Sequence, residues 1–140
     1  MNVKGKNIII TGGSLGIGRE TARFLIEKGA NVLITGRSEN RLIEAKSYTG
    51  AKIIEFDIGD TNNICENANK CIDILDGRVD VLINNAGIGV RKSIDELNIN
   101  DFLKVFNVNV FGLALFTKVI VPLMIKESYG TIINIGSTAS

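Results

Sequence analysis

Apolar runs and amphipathic stretches take turns along the chain. Short, continuous Ile/Val/Leu-rich runs lie at residues 7–10, 31–35, 52–56, 79–84 and 131–135, and each predicts a strand. None shows strict apolar/polar alternation, which is the pattern of strands covered on both faces in a parallel sheet. The stretches between them have helical spacing. In the first, Ile17, Thr21, Ala22 and Leu25 fall on one broad face and Arg19, Glu20, Arg23 and Glu27 on the other, and Gly29 supplies a stop. The last inter-strand region is the longest and predicts two helices, a short one over 94–105 and a longer one over 107–126, with Pro122 bending the latter or removing one of its hydrogen bonds. Strand and helix alternate throughout, so right-handed crossovers give a doubly wound α/β sheet.

One turn in this pattern carries chemistry. Thr11-Gly12-Gly13-Ser14-Leu15-Gly16-Ile17-Gly18 joins the first strand to the first helix. Glycines there permit positive φ and a close approach of phosphate oxygens to backbone N–H groups at the positive end of the helix, the geometry of a dinucleotide pyrophosphate site. A glycine turn used only for packing would read similarly in isolation; the strand before it and the amphipathic helix after it favour the binding site.

The second strand ends in Gly36-Arg37, where such folds read the adenosine ribose. A cation without a nearby acid suits a 2′-phosphate, so NADP(H) is the expected cofactor and NAD(H) the alternative; a solvated turn arginine is the plain reading of Arg37. After the third strand, Asp57 and Ile58 stand at the carboxyl edge of the sheet, with Asp57 in reach of an adenine amino group or, equally, in a capping role near Asp60 and Thr61. The fourth strand leaves through Asn84-Asn85-Ala86-Gly87, two amides and two small residues that can flank a flat ring or simply close a turn.

Composition removes several other functions. The 140 residues suit a single domain, 1–140, and 16 basic against 15 acidic side chains, with no long run of either sign, imply no nucleic-acid partner. There is no histidine, which excludes a Ser-His-Asp triad and the commonest zinc ligand; Cys65 and Cys71 have neither metal nor redox spacing, so no metal is expected and both read as packing residues of a cytoplasmic protein. Residues 108–125 are the most membrane-like segment, but Asn109, Lys118 and Pro122 interrupt it, so a buried helix is expected and no membrane association. A methyltransferase reading of the glycine turn is disfavoured, because it would place an acid near Gly36.

In order along the chain, TGGSLGIG, Asp57, NNAG, NVNVFG at 107–112 and GTIINIGS at 130–137 resemble the classical short-chain dehydrogenase/reductase family, N-terminal part. The resemblance implies a Rossmann-type doubly wound parallel sheet with five of the family's seven strands. It implies that Gly12, Gly16 and Gly18, with Ser14, Leu15 and Ile17, form the phosphate loop. Asp57 and Ile58 would lie against adenine, and Asn85, Ala86 and Gly87 beside the cofactor. Asn109 corresponds to the family's helix asparagine, whose backbone carbonyl holds a proton-relay water, and Ser137 to the serine that bonds a substrate carbonyl. These two are the expected catalytic residues.

The same resemblance implies hydride transfer between a nicotinamide and a small alcohol or carbonyl substrate, and a homo-oligomer. Leu15 departs from it, since NADP-using members often carry a cation there, which leaves Arg37 to hold the phosphate largely unaided. The family's Tyr-x-x-x-Lys helix after the fifth strand falls beyond Ser140. The only such spacing, Tyr48 to Lys52, is broken by Gly50 and precedes a strand, away from the ligand edge. The chain is therefore expected to be the cofactor-binding N-terminal portion of a reductase, inactive alone, with a fifth strand that is an apolar, association-prone edge. The alternative is a non-catalytic dinucleotide-binding or regulatory module complete at 140 residues.

Overall fold

The computed structural model describes residues 2–137. Five strands, β1 (Asn7–Ile10), β2 (Asn31–Gly36), β3 (Lys52–Glu55), β4 (Val81–Asn84) and β5 (Thr131–Asn134), form one parallel sheet in the order β3-β2-β1-β4-β5. That order reverses direction at β1, the topological switch point of a doubly wound fold. The fifth strand ends at Asn134, one residue sooner than its apolar run, and the fourth begins at Val81, because the chain bends at Asp80 just before it.

Each central strand feeds two cores. Ile8 and Ile10 of β1 pack with Val32, Ile34, Leu42 and Ala45 beneath helices α1 (Gly16–Glu27) and α2 (Glu39–Thr49). Ile9, between them in sequence, points to the opposite face, against Leu33, Leu82, Ala68, Phe116 and Ile120 beneath α3 (Ile64–Ile74) and α5 (Leu113–Lys126). Continuous isoleucine therefore satisfies both faces at once. Phe56, just past β3, stacks on Phe116 with ring centroids 5.9 Å apart. The first helix ends at a turn through Gly29 (φ 84°) and the second at Gly50 (φ 78°), left-handed positions suited to glycine.

Three expectations are corrected. Ile17 is not part of the packed face of α1; it is 67% exposed, because the first turn of the helix overhangs the sheet edge and only Gly18 and Ala22 are fully buried. Cys71 packs in the core but Cys65 is exposed. The last inter-strand region is also different. A 3-10 turn (Ile94–Glu96) precedes α4 (Ile99–Phe106), which runs without a break through a π-helical segment (Asn107–Gly112) into α5. Pro122 lies within α5, which continues to Lys126. The segment Ile99–Lys126 is long and apolar enough to cross a membrane, and it is not the wholly buried helix its composition predicts. Val108, Gly112, Phe116, Ile120 and Met124, four residues apart, make one buried stripe, while Phe102, Leu103, Phe106, Val110 and Phe111 remain exposed.

Candidate dinucleotide-binding site

Loops after β1, β2, β3 and β4 converge at the carboxyl edge of the sheet around a cleft of about 640 Å³. Its walls carry Gly12, Ser14, Leu15, Gly16, Ile17, Arg37, Asp57, Ile58, Asn85, Ala86 and Gly87, so eleven of the twelve proposed cofactor residues meet there. The exception is Gly18. It is buried behind the loop, where a Cβ would lie 2.5 Å from the Asn85 amide nitrogen and 2.8 Å from the Gly12 carbonyl oxygen. Its glycine identity serves the contact between α1 and the β4 exit.

Two strand ends are tied together here. Thr11, 1% exposed, accepts hydrogen bonds at Oγ1 from the backbone N–H groups of Asn85 (3.1 Å) and Ala86 (3.0 Å). Asn85 returns two bonds, its Nδ2 donating to the carbonyls of Thr11 and Gly12, both at 3.0 Å. Both amide protons of Asn85 are thus spent on the glycine loop, which fixes the spacing between the two walls. Gly12 has φ 66°, and a Cβ there would lie 2.8 Å from Ala86 Cα. No side chain fits between these backbones.

The first turn of α1 faces the cleft with no side-chain cap on Leu15 and no acidic residue. Its N-terminal N–H groups keep their capacity to meet an anion. At the β2 exit, Gly36 leaves room for Ser14, whose Oγ would be 3.3 Å from a Cβ. Asp57 accepts from the Gly59 N–H through Oδ1 at 2.8 Å, a turn-closing bond, and lines the cleft.

The π-helical segment forms the support behind one wall. A Cβ at Gly112 would lie 1.9 Å from the Ile58 carbonyl oxygen, so helix and loop touch backbone to backbone. Asn109 does not line the cleft; its side chain bonds the backbone of Ile88, which does. Ser137 is exposed beyond β5 and is not among the cleft residues. Tyr48 and Lys52 are separated as expected: Tyr48 bonds Glu20 from the outer side of α2, and Lys52 donates to the Ile74 carbonyl at 2.7 Å. Among the described residues there is no cluster of three or more metal-ligating side chains.

Sequence reasoning missed Thr11, Arg41, Ile88 and Val108, which also line or brace the cleft. Thr11 was legible as a small hydroxyl closing an otherwise apolar strand. The other three depend on how distant segments fold together.

Sequence models of the short chain dehydrogenases match residues 6–140. The chain belongs to the short chain dehydrogenase family. An uncharacterized oxidoreductase of Staphylococcus epidermidis is 32% identical over 98% of this short chain dehydrogenase sequence and 60% of its own. The 3-oxoacyl-[acyl-carrier-protein] reductase of Vibrio harveyi is 34% identical over 98% of this chain and 57% of its own length. The crystal structure of NAD+-bound xylitol dehydrogenase superposes with a TM-score of 0.86 at 26% identity, covering 99% of this chain and 55% of that one. The chain thus spans about half to three-fifths of the length of the curated relatives it matches.

Proposed function

We propose that this chain is the cofactor-binding N-terminal portion of an NADP(H)-dependent oxidoreductase that passes hydride between the nicotinamide and the carbon of a small alcohol or carbonyl substrate. The observation that carries the reading is the convergence of the glycine loop, Arg37, Asp57 and the Asn85–Gly87 turn on one cleft at the start of α1, whose first turn has no side-chain cap and no acidic residue. The bound nicotinamide supplies the hydride or accepts it. The chain's own residues bind and orient. N–H groups at the start of α1 take the pyrophosphate, Asp57 accepts from the adenine amino group, and Asn85 to Gly87 flank the ribose and ring.

Arg37, at the β2 exit, takes the 2′-phosphate, which favours NADP(H) over NAD(H). Ser137 donates to the substrate oxygen. A proton must reach that oxygen as hydride reaches its carbon, and neither tyrosine of this chain is placed to give it: Tyr48 sits on the outer side of α2, and Tyr129 lies under Lys6 at the opposite sheet edge. The donor belongs to the chain that follows β5 in the whole enzyme.

Two further parts of the reading concern setting. The exposed apolar face of α4 and the π segment, with Phe106 and Phe111 in ring contact at 6.2 Å, suits a homo-oligomer contact. The free thiols Cys65 and Cys71 suit a reducing, cytoplasmic environment.

The test is NADPH oxidation by the full-length protein against a panel of ketones and 3-oxoacyl thioesters. Turnover by the full-length protein, and none by residues 1–140 alone, is the expected result; turnover by residues 1–140 alone would contradict the division of labour proposed here.

A further inference from the structure

A second, smaller cavity of about 290 Å³ adjoins the cofactor cleft, and the two share Arg37, Asp57 and Val108. On its helical side, α4 and the start of the π segment contribute Asn100, Leu103, Lys104 and Asn107, spaced so that all four fall on one face. We propose that this cavity is an accessory subsite beyond the adenine edge. It accepts a dinucleotide that carries a short carboxylate chain on its adenine amino nitrogen, and Lys104 is the cation that meets the carboxylate. The inference rests on the dinucleotide reading above, with Asp57 as the adenine contact, and is independent of the choice between NADP(H) and NAD(H).

Three observations support it. The first is position. Asp57 borders both cavities, so a chain on the nitrogen that bonds it starts where the two meet. An amino group with one substituent keeps one N–H, and Asp57 keeps its bond. The second is chemistry. Among the described residues, Lys104 has no ion pair or side-chain hydrogen bond, and its neighbour Asp101 gives both carboxylate oxygens to Lys92, at 2.9 and 2.7 Å. The side-chain amides of Asn100 and Asn107 are likewise without a protein partner there, while Leu103 offers apolar surface to methylenes. An ammonium and two amides with donors to give suit a carboxylate. The third is size. The cavity lies just under the range of pockets that hold whole small molecules, which is room for a side chain of the ligand and not for a second ligand of cofactor size. Its border with the cleft is fixed: a Cβ at Gly59 would lie 2.8 Å from a Val108 methyl, and the Gly59 N–H holds Asp57 Oδ1 at 2.8 Å.

The experiment is a titration of the full-length protein and its Lys104→Gln and Lys104→Glu variants at physiological ionic strength. The probes are NADPH or NADH, whichever the parent binds more tightly, and its derivatives with a carboxyethyl or an aminoethyl chain on the adenine amino nitrogen. Thermal melting of each unliganded protein is the folding control, and because Lys104 is exposed all variants are expected to melt with the parent. The carboxyethyl derivative should bind within about threefold of the unmodified nucleotide and about threefold to fivefold tighter than the aminoethyl one, the range of a single exposed ion pair. Asp57 at the junction disfavours a carboxylate, so that preference has to come from the cations beyond it. Lys104→Gln should abolish the preference and Lys104→Glu reverse it, with the unmodified nucleotide within about twofold in both. Weakening of both derivatives by about tenfold or more beside normal binding of the unmodified nucleotide overturns the subsite and leaves the cofactor reading standing. Absence of a carboxylate preference in the parent, or a preference that survives Lys104→Glu, overturns it as well. Absence of saturable binding by the unmodified nucleotides overturns the reading beneath it.

Discussion

The side chain of Asn109 and the backbone of Ile88 form a reciprocal pair: Oδ1 accepts from the Ile88 N–H and Nδ2 donates to the Ile88 carbonyl, both at 2.9 Å. One amide thus replaces the strand partner that Ile88 lost on leaving β4. The π turn that carries Asn109 is the wider helical turn often found at functional positions. Because Ile88 lines the cleft, the pair couples the long helix to the cofactor wall.

Removing that amide leaves two backbone groups of a part-buried loop unsatisfied. Asn109→Ala is expected to cost about 1–3 kcal/mol of stability and to weaken NADPH binding. Asn109→Asp should rescue little, since a carboxylate can accept from the Ile88 N–H but cannot donate to the carbonyl. Melting temperatures and nucleotide affinities of both variants, compared with the parent, check this; parental values for Asn109→Ala would remove the coupling.

The glycines of the loop should separate by what surrounds them. Gly12→Ala must displace the Asn85–Gly87 turn, because its Cβ would meet Ala86 at 2.8 Å, and it should reduce NADPH affinity by about tenfold or more. Gly16→Ala meets no atom within 4 Å, so only its positive φ of 54° is penalised, by about 1–2 kcal/mol. Titration and melting of the two variants should therefore rank them in opposite orders of binding loss and space.

Asp80 anchors the far edge of the sheet. Its side chain is 2% exposed and accepts from the Asn7 N–H at 2.8 Å, from Arg78 Nη2 at 2.6 Å and from Lys6 Nζ at 3.3 Å. Burial pushes its carboxyl upward, but the Asn7 N–H, Arg78 and Lys6 outweigh it and hold the group below the ordinary aspartate value. A depressed folded value means stabilisation that is complete above the unfolded value of about 4 and lost as pH falls through the folded one. Asp80→Asn should cost about 1–3 kcal/mol near neutrality, and the difference from the parent should shrink in melts below pH of about 4. A deficit that stays constant into acid would contradict the assignment.

The two thiols should behave differently. Burial pushes the Cys71 thiol up to about 12, which leaves almost no thiolate near neutral pH, while Cys65 is exposed on α3. A maleimide or disulfide reagent should label Cys65 in the native protein and Cys71 only on unfolding. Equal rates at both positions would show that α3 does not pack as described.

The sheet was legible because its signal is local. Ile8-Ile9-Ile10 serves two cores and needs no partner to be recognised, and glycine turns set the boundaries of α1 and α2. The site was legible where the backbone itself is special, as at Gly12 and Gly16. It was not legible where function depends on placement. Ile17 carries the apolar identity of a core residue, yet the start of α1 projects past the sheet and turns it to the cleft. Arg41 has the spacing of a solvated helix residue, and only the position of α2 over the sheet brings it beside Arg37. Asn107 to Gly112 has helical periodicity, and nothing in that pattern distinguishes the π turn, which is imposed by the close seat of Gly112 on Ile58 and by the Asn109–Ile88 pair.

The most direct test of the central claim is a fluorescence titration of the full-length protein with NADPH and, separately, NADH. The account predicts saturable binding at one site, with NADPH at least about tenfold tighter, as expected for a phosphate held by charge-assisted bonds. Absence of saturable binding, or equal affinity for the two nucleotides, would contradict it.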